Sequence, residues 1–341
     1  MWKNYLKIAL RSFFKQKLYS TINVLGLAIS LAAAIFIFLY VQDELSYDRF
    51  HENGDRIYRL TETFKNGDEY TTTAMTPYRV AELLHEHSPA VASFVRFDTD
   101  VGPGEVQIIE YGDKRIEATS MTFADSTLFE VFSFDLLAGN PEKALVEPYT
   151  IVIAEEEAKA IFGNENPIGK IIKITNGYNG ESYNVTVTGV MADMPDNAHF
   201  HYNYLMSKAT GDEIMPGRTD SWGWTSQYSY VMLAPGHHVS EVEAALDKIV
   251  EKHAPQWFGE WASLGTQFMP DIHLHSNIKD EIEANGSMSN VYIFSIIGIF
   301  ILLIASINYM NLATARAAGR AREVGTSKVI GARHTQLVNQ F

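Results

Sequence analysis

Four pairs of histidines are the residues whose type and spacing come closest to a metal site. On a β-strand, residues i and i+2 point to the same face, so two imidazoles spaced in this way can share a zinc ion. The chain has no cysteine, however, and no H-E-x-x-H helix. We therefore expect scattered surface histidines, no metal site and no bound cofactor. The pairs are His85 with His87, His199 with His201, His237 with His238, and His273 with His275.

A glycine-containing segment, residues 163–170, comes closest to a phosphate-binding loop. It has one residue too many between Gly163 and Gly169, and Ile171 stands where a Ser or Thr would bind magnesium. The segment is therefore predicted to be a turn between a helix and a strand. The G-x-S-x-G pattern of serine hydrolases is also missing from the sequence. We expect no catalytic residue and a chain that is not an enzyme.

Two uncharged stretches of 20 residues, 22–41 and 291–310, bracket these candidate sites. At about 1.5 Å per helical residue each is about 30 Å long, the thickness of a bilayer's hydrocarbon core. The predicted spans are residues 18–41 and 289–310. The first stretch is too long for the apolar part of a signal peptide, and no A-x-A cleavage site follows it. We therefore expect a retained membrane anchor.

The charges beside the two spans predict the orientation of the chain. Basic residues flank them on one side only, namely Lys3, Lys7, Arg11, Lys15 and Lys17 before the first span and Arg316, Arg320, Arg322, Lys328 and Arg333 after the second. The segment between these flanks holds 17 basic and 40 acidic residues, a net charge of −23. Because positive flanks stay in the cytoplasm, both termini are expected there and residues 42–288 outside. The acidic exterior disfavours nucleic acid as a partner.

The N-terminal segment, residues 1–17, is predicted to be an amphipathic helix on the cytoplasmic side. Lys3, Lys7, Arg11 and Lys15 recur every four residues, and aromatic and aliphatic residues occupy another face. Such a helix can lie on an anionic lipid surface, which makes the bilayer its partner.

A stripe of small residues runs along the first span. Gly26, Ser30 and Ala34 are spaced four apart. Small side chains at this spacing allow another transmembrane helix to approach closely. The stripe therefore predicts a helix-packing surface.

The exterior segment alternates between strand and helix patterns. Two strand-helix-strand units predict a split α+β sandwich, residues 42–99 and 227–288, interrupted by a β-rich inserted lobe, residues 100–226. The fold class is therefore two transmembrane helices flanking a mixed α+β domain. The predicted elements are a strand at 56–64, a helix opened by Thr76-Pro77 and reaching 87, strands at 92–99 and 227–233, a helix from an N-cap at Ser240 to 253, a strand at 266–274, and, in the insertion, a helix at 154–162 with strands at 170–175 and 183–190.

The tail, residues 311–341, combines charged and apolar residues at helical spacing. This pattern predicts a short cytoplasmic helix that ends in a turn at Gly331. An element of this kind can dock on a partner protein. Its sequence from Arg322 to Ala332 reads R-E-V-G-T-S-K-V-I-G-A.

At this segment the chain resembles the permease subunits of the MacB, LolC/LolE and FtsX type, the mechanotransmission class of ABC transporters. Their tail signature is R-E-[IV]-G-x-x-[RK]-x-x-G-A, which residues 322–332 match at every fixed position. Four other segments look like the large tandem permeases of Bacteroidota. These are N-V-L-G-L-A-I-S at 23–30, D-E-L-S-Y-D-R-F-H at 43–51, F-G at 162–163 with N-P-I-G-K at 166–170, and I-H-L at 272–274.

The resemblance implies a permease without chemistry of its own. A separate ABC ATPase would push on the coupling segment, and helices would carry the movement to a periplasmic domain in a bacterial inner membrane. The implied coupling residues are Arg322, Glu323, Gly325, Lys328, Gly331 and Ala332. A second permease half or copy is expected as a partner, together with periplasmic or outer-membrane proteins. The implied role is export or extraction of a substrate from the cell envelope.

The family unit has four spans, whereas only two are present here, so a fragment of a longer reading frame is expected. Two other classes fit the topology. A transmembrane sensor would place a ligand-binding domain between two spans, but it needs a signalling module that the tail does not provide. An anchored exterior enzyme would need a catalytic constellation.

Overall fold

The computed structural model describes residues 17–98, 106–176, 180–329 and 331. The chain divides into two compact units. One contains residues 44–287, which we call the exterior domain. The other contains the helices before and after this domain, which we call the helix pair.

The helix pair consists of α1, Lys17–Glu44, and α9, Met288–Val329. Their apolar parts, Thr21–Glu44 and Met288–Asn311, are long and apolar enough to cross a membrane. The helices are in close contact at one end. The rings of Tyr40 and Phe294 meet edge to face at 5.1 Å, and a Cβ added at Gly298 would lie 3.1 Å from Ile37 Cγ2. Glycine at this position therefore permits the close approach.

Helix α9 continues without interruption beyond its apolar part. It contains 42 residues, so it is about 63 Å long. The expected separate short helix in the tail was wrong, because residues after the span extend the same helix to Val329. Ala and Arg, which favour helix, predominate between the span and Glu323.

The exterior domain contains the remaining elements of the described chain. The strands are β1 Ile57–Asn66, β2 Glu69–Thr73, β3 Thr76–Pro77, β4 Val91–Asp98, β5 Gln107–Tyr111, β6 Lys114–Ala118, β7 Met121–Ala124, β8 Leu136–Gly139, β9 Thr150–Ala154, β10 Ile171–Asn176, β11 Ser182–Met191, β12 Tyr204–Ser207, β13 Thr225–Leu233 and β14 Ala262–Phe268. The helices are α2 Val80–His87, α3 Leu128–Val131, α4 Glu155–Phe162, α5 Lys208–Ile214, α6 Val239–His253, α7 Gln256–Trp261 and α8 Ile272–His275.

Within the described residues, all these strands join one sheet of 14 strands. The order is β14-β1-β13-β4-β7-β12-β9-β11-β10-β5-β6, with β2 on β1, β3 on β13 and β8 on β11. The first four strands of this order, together with β2 and β3, come from the two predicted halves of the sandwich, and the other strands come from the predicted insertion. The two groups meet at β4 and β7, where Phe97 pairs with Ala124 and Asp98 with Phe123. The predicted boundaries of the lobes stay a prediction.

Three buried apolar clusters fill the domain. The first lies between the sheet and helices α2 and α6, and includes Leu60, Leu84 and Leu246. The second lies in the insertion, where α4 packs on β9 to β11. The third is centred on buried aromatic rings of strands and loops from both groups, including Phe97 and Tyr230. Mixed α+β layers around these cores agree with the predicted fold class.

Three predicted elements differ in detail. Thr76-Pro77 forms strand β3 against β13, and the helix begins at Val80 instead. The N-cap of α6 is His238, because the Glu241 carboxylate accepts a hydrogen bond from its backbone N–H at 2.9 Å. Strand β14 ends at Phe268, where a 3-10 turn containing Pro270 interrupts the expected strand.

Candidate functional site

The exterior domain begins with residues 44–51, which continue from the last residue of α1 and which we call the junction. The ring of Tyr47 stacks on His273, with centroids 3.3 Å apart and planes within 3° of parallel. His273 Nε2 lies 3.0 Å from Glu44 Oε2. His273 belongs to α8, near the other end of the domain's sequence. The junction is thus fastened to a segment 229 positions away from Glu44.

Gly286, which precedes α9, lies against the same contact. A Cβ added there would come within 2.5 Å of Glu44 Oε2 and 2.7 Å of His273 Nε2. At these distances a side chain at this position would displace the Glu44 carboxylate or the His273 ring, so glycine preserves the contact. The first and the last residues of the exterior domain therefore meet at His273.

Asp48 is the buried centre of the junction. Its backbone φ is 58°, in the left-handed region that non-glycine residues seldom adopt. Its Oδ1 atom accepts hydrogen bonds from the backbone N–H of His199 at 3.1 Å and from His199 Nδ1 at 2.8 Å. The hydroxyl of Tyr230 lies 2.7 Å from His199 Nε2. This buried chain of three polar side chains holds the strained turn in place.

His51 closes the junction on its other side. Burial lowers its pKa to about 4, against the opposing effect of Asp48. The ring is therefore neutral near pH 7, and its Nδ1 atom accepts a hydrogen bond from the backbone N–H of Ser133 at 3.1 Å. Phe132 and Phe134 surround the ring at centroid distances of 5.0 and 5.1 Å. The junction thus also contacts the inserted part of the sequence.

A second buried network lies on β1. Arg59 is fully buried and forms two hydrogen bonds with Glu281, from Nη1 to Oε2 at 2.5 Å and from Nη2 to Oε1 at 3.0 Å. Nη2 also donates to Gln267 Oε1 at 2.6 Å. Burial acts to lower the pKa of Arg59, but the hydrogen bond with Glu281 and the interactions with Tyr230 and the Glu281 charge together outweigh it, and the pKa rises. This ion pair ties the first strand to the segment that leads to α9.

The expectation that the paired histidines lie scattered on the surface was wrong for two of them. His199 and His273 are 5% and 6% exposed, because each has an acidic partner from the junction. His201 contacts Glu283, with Nδ1 and Oε1 3.0 Å apart. Nowhere in the described parts of the chain do three or more His, Asp or Glu residues come together in a metal-binding arrangement.

The segment that resembles a phosphate loop is a turn between α4 and β10, as predicted. Gly163 and Gly169 have φ angles of 63° and 80°, which the turn requires of them. Asn166 Oδ1 accepts a hydrogen bond from the N–H of Ile168 at 3.1 Å. Lys170 pairs with Glu165 at 2.8 Å. The lysine therefore serves the turn itself.

The helix pair encloses a groove of about 270 Å³. Small residues and two amides line it, among them Asn23, Gly26, Ser30, Ala305 and Asn308. Ala34, the third residue of the stripe on α1, is half-buried. Two of the three stripe residues therefore face the groove, and their role in packing against a further helix stays a prediction.

The coupling residues lie beyond the apolar part of α9. The backbone at Arg322, Glu323, Gly325 and Lys328 is helical, and Gly331 follows in a turn with φ of 96°. The other predicted site residues, Ala332 and the four basic residues of the amphipathic segment (Lys3, Lys7, Arg11 and Lys15), lie outside the described residues.

Residues 20–249 match the model of the MacB-like periplasmic core domain. The chain belongs to this family. Two curated relatives carry permease names. The macrolide export ATP-binding/permease protein MacB of Aggregatibacter actinomycetemcomitans is 22% identical over 98% of this chain and 49% of its own length. YknZ of Bacillus subtilis, an uncharacterized ABC transporter permease, is 29% identical over 61% of this chain and 45% of its own length.

The chain spans about half the length of these curated relatives. A solved domain of a permease protein from Porphyromonas gingivalis has the same fold. It aligns with a TM-score of 0.54 and 20% identity over 71% of this chain and 98% of the solved domain. The combination of two apolar helices and a MacB-like core domain makes the chain an inner-membrane protein with a periplasmic domain.

Sequence reasoning missed the residues that build the junction. Asp48 and Glu44 fall in the segment that carries the resemblance, residues 43–51, but no role followed from it. Arg59 looked like an ordinary position of an alternating strand. The sequence did contain one indication of these pairs, the acidic residues Asp280, Glu281 and Glu283 just before the second span, which could serve as partners for buried basic residues.

Proposed function

We propose that this chain is the membrane-spanning permease part of an ABC transporter and transmits movements of a cytoplasmic ATPase to its periplasmic domain. Both termini are cytoplasmic in this proposal, and residues 42–288 are periplasmic. Hydrolysis takes place on a separate ABC ATPase, and this chain supplies no catalytic group. The work is the export or extraction of a substrate from the cell envelope.

The continuity of α9 is the observation that carries this proposal. The residues that match the coupling signature, Arg322 to Lys328, share one unbroken helix with the second span. A continuous helix of about 63 Å can carry a displacement along its length, because a sharp kink would disrupt its backbone hydrogen bonds. Displacement of Glu323 or Lys328 by an ATPase would therefore reach Met288 directly. Gly325 would allow the partner's backbone to approach closely.

The junction explains how such a movement would enter the domain. Glu44 ends α1, Gly286 shortly precedes α9, and both contact His273. The Arg59–Glu281 pair anchors the same end of the sequence to the central sheet. A displacement delivered at either end of the domain would therefore act on the sheet rather than on a loose linker.

The groove of the helix pair supports a second permease half or copy as a partner. Asn23 and Asn308 line it within the apolar parts of the two helices, and neither side-chain amide has a hydrogen-bond partner among the described residues. An unpaired amide is costly in a bilayer, whereas small residues allow a further helix to approach and supply a partner. The stripe Gly26, Ser30 and Ala34 would then pack against that helix.

The proposal is tested by breaking α9 between the span and the coupling segment. The chain has no cysteine, so Ala284→Cys adds a unique site for an environment-sensitive dye on the exposed surface of the domain. In native membranes opened to ATP, we expect the dye signal to change on addition of ATP. Ala317→Pro interrupts the helix and should abolish the change, since proline costs about 3 kcal/mol in a helix interior.

Ala317→Leu is the matched control, because leucine preserves the helix and should preserve the signal. Recovery of the ATPase with both variants shows that docking itself is intact. A full ATP-dependent signal in the Ala317→Pro variant would contradict transmission through α9.

A further inference from the structure

Four of the five tryptophans of the chain are found in two short segments of the exterior domain. They are Trp222, Trp224, Trp257 and Trp261. Trp224 and Trp257 are each 45% exposed and Trp261 is 52% exposed. Tryptophan is ordinarily well buried, and exposed aromatic clusters mark interaction surfaces. The fold leaves these rings exposed although it buries many smaller apolar side chains.

Helix α7 presents the two most prominent rings in fixed positions. The centroids of Trp257 and Trp261 are 6.4 Å apart, and Phe64 on β1 lies 6.5 Å from Trp261. Phe258, between them in sequence, is 1% exposed and packs against Trp222 at 5.1 Å. This buried ring anchors the helix, so its exposed neighbours lose little further freedom on binding. We call Phe64, Trp257 and Trp261 the aromatic patch.

The aromatic patch is far from the junction. Phe64 lies near the end of β1, seven residues after Ile57, which is about 23 Å at the usual rise per strand residue. It pairs with Ala262, the first residue after α7. The patch therefore belongs to neither the fastening of the domain's ends nor the groove of the helix pair.

A neighbouring tryptophan already binds a cation. The guanidinium of Arg218 lies 4.4 Å from the centroid of the Trp224 ring. In the described parts of the chain, no such cation lies over Trp257 or Trp261. Tryptophan is the side chain whose ring face attracts cations most strongly. Two exposed ring faces of the aromatic patch are thus available for the same interaction.

The acidic charge of the exterior domain also favours a cationic partner. Residues 44–287 hold 39 acidic and 17 basic side chains. Residues 239–261, which include α6 and α7, contribute five acidic residues and two lysines. An acidic surface raises the local concentration of positively charged partners and speeds their association. Ring faces in an acidic field suit a basic chain better than an acidic or purely apolar one.

We propose that the aromatic patch is the docking surface for a basic segment of a partner protein, whose Arg or Lys side chains stack on Trp257 and Trp261. This interaction is additional to the proposed coupling with an ATPase and does not depend on it. The partner is recognised by cationic side chains spaced to reach two rings about 6 Å apart.

Binding of octa-arginine to the purified full chain in detergent tests the proposal by calorimetry at low salt. The double variant Trp257→Ala/Trp261→Ala should bind about tenfold more weakly, since each cation–π contact contributes about 0.5 to 1 kcal/mol at an exposed site. The matched control is Leu137→Ala/Val146→Ala, which removes two other exposed side chains, 53% and 47% exposed, and leaves the charge unchanged. The control should bind like the parent chain.

Equal affinity of the parent and the double tryptophan variant would overturn the proposal, because charge alone would then explain binding. Binding of a neutral chito-oligosaccharide that depends on the two tryptophans, without a tryptophan-dependent effect on octa-arginine, would also overturn it. If the double variant does not fold, Trp261→Ala alone keeps the test open. It should then weaken octa-arginine binding about threefold.

Discussion

The junction and the inserted lobe of the exterior domain are stabilised by different interactions. In the inserted lobe, α4 and strands β9 to β11 enclose an apolar cluster, and the charged pairs Glu155–Lys159 and Glu110–Lys173 beside it lie on the surface. Around the junction, by contrast, Asp48, His199 and Arg59 are buried and paired. Burying charges is costly and contributes little net stability, whereas apolar residues of similar volume would often stabilise as well or better.

The difference lies in what each interaction connects. Glu155 and Lys159 of the inserted lobe are neighbours on one helical turn. Arg59 and Glu281 are 222 positions apart, and Asp48 and His199 are 151 apart. Hydrogen-bonded ion pairs are directional, so a pair between distant segments fixes how those segments are arranged. An apolar contact tolerates more than one arrangement. The junction is therefore organised to hold two ends of the domain in a defined geometry.

Removing one partner of the buried Arg59 pair should have the largest effect. Glu281→Ala leaves a buried guanidinium without its carboxylate, so we expect the free energy of unfolding to fall by about 3 to 5 kcal/mol. Urea unfolding of the full chain in detergent, followed by tryptophan fluorescence, measures this loss. The double variant Arg59→Met/Glu281→Leu should recover much of it. If Glu281→Ala lowers the free energy of unfolding by less than about 1 kcal/mol, the contrast between the two regions is removed.

Glu62, on the same strand as Arg59, gives an intermediate, pH-dependent effect. Burial raises its pKa from 4.5 to about 7. Between these values the folded chain keeps the proton and the unfolded chain loses it, so stability falls as pH rises through this window. Glu62→Gln should flatten this fall by about 2 to 3 kcal/mol.

The quantity to measure for Glu62 is the difference in unfolding free energy between the parent and Glu62→Gln at pH 5 and pH 8. The difference cancels the contributions of Asp98, whose pKa burial also raises to about 7, and of His51, whose lowered pKa acts in the opposite direction. The same difference at both pH values would show that the folded state does not hold the Glu62 proton.

A surface pair of the inserted lobe should have the smallest effect. Lys159→Ala removes the contact with Glu155, in which both side chains are largely exposed. Exposed ion pairs on one helix contribute about 0.3 to 0.5 kcal/mol, so the free energy of unfolding should fall by no more than that. The same urea titration provides the measurement. A loss as large as that of Glu281→Ala would show that burial does not distinguish the two regions.

Local pattern predicted much of the fold. The strand patterns at β1, β4 and β13 and the helix α4 follow from hydrophobic period and turn residues close in sequence. The predicted strand at 266–274 was right up to Phe268. Its remainder was wrong because I-H-L-H also alternates, whereas a 3-10 turn at Pro270 leads into a short helix there. Continuity of α9 was missed because the change from apolar to charged residues suggested a break.

The candidate site was much less predictable than the fold. Whether a histidine is buried depends on a partner that can lie anywhere in the chain. His199 is buried by Asp48 and Tyr230, and His273 by Glu44 and Tyr47, none of them close in sequence. Pairing of this kind is decided by topology, since β1, β13 and β14 bring both ends of the domain to one place. Single-sequence patterns do not contain this information.

The central claim, that this chain is the permease of an ABC transporter, is tested most directly by purifying it from native membranes and identifying co-purified proteins by mass spectrometry. An ABC ATPase should be recovered with the parent chain and lost when residues 322–332 are scrambled, while membrane insertion is unchanged. Recovery of a kinase or regulator without any ATPase would contradict the account and favour a transmembrane sensor.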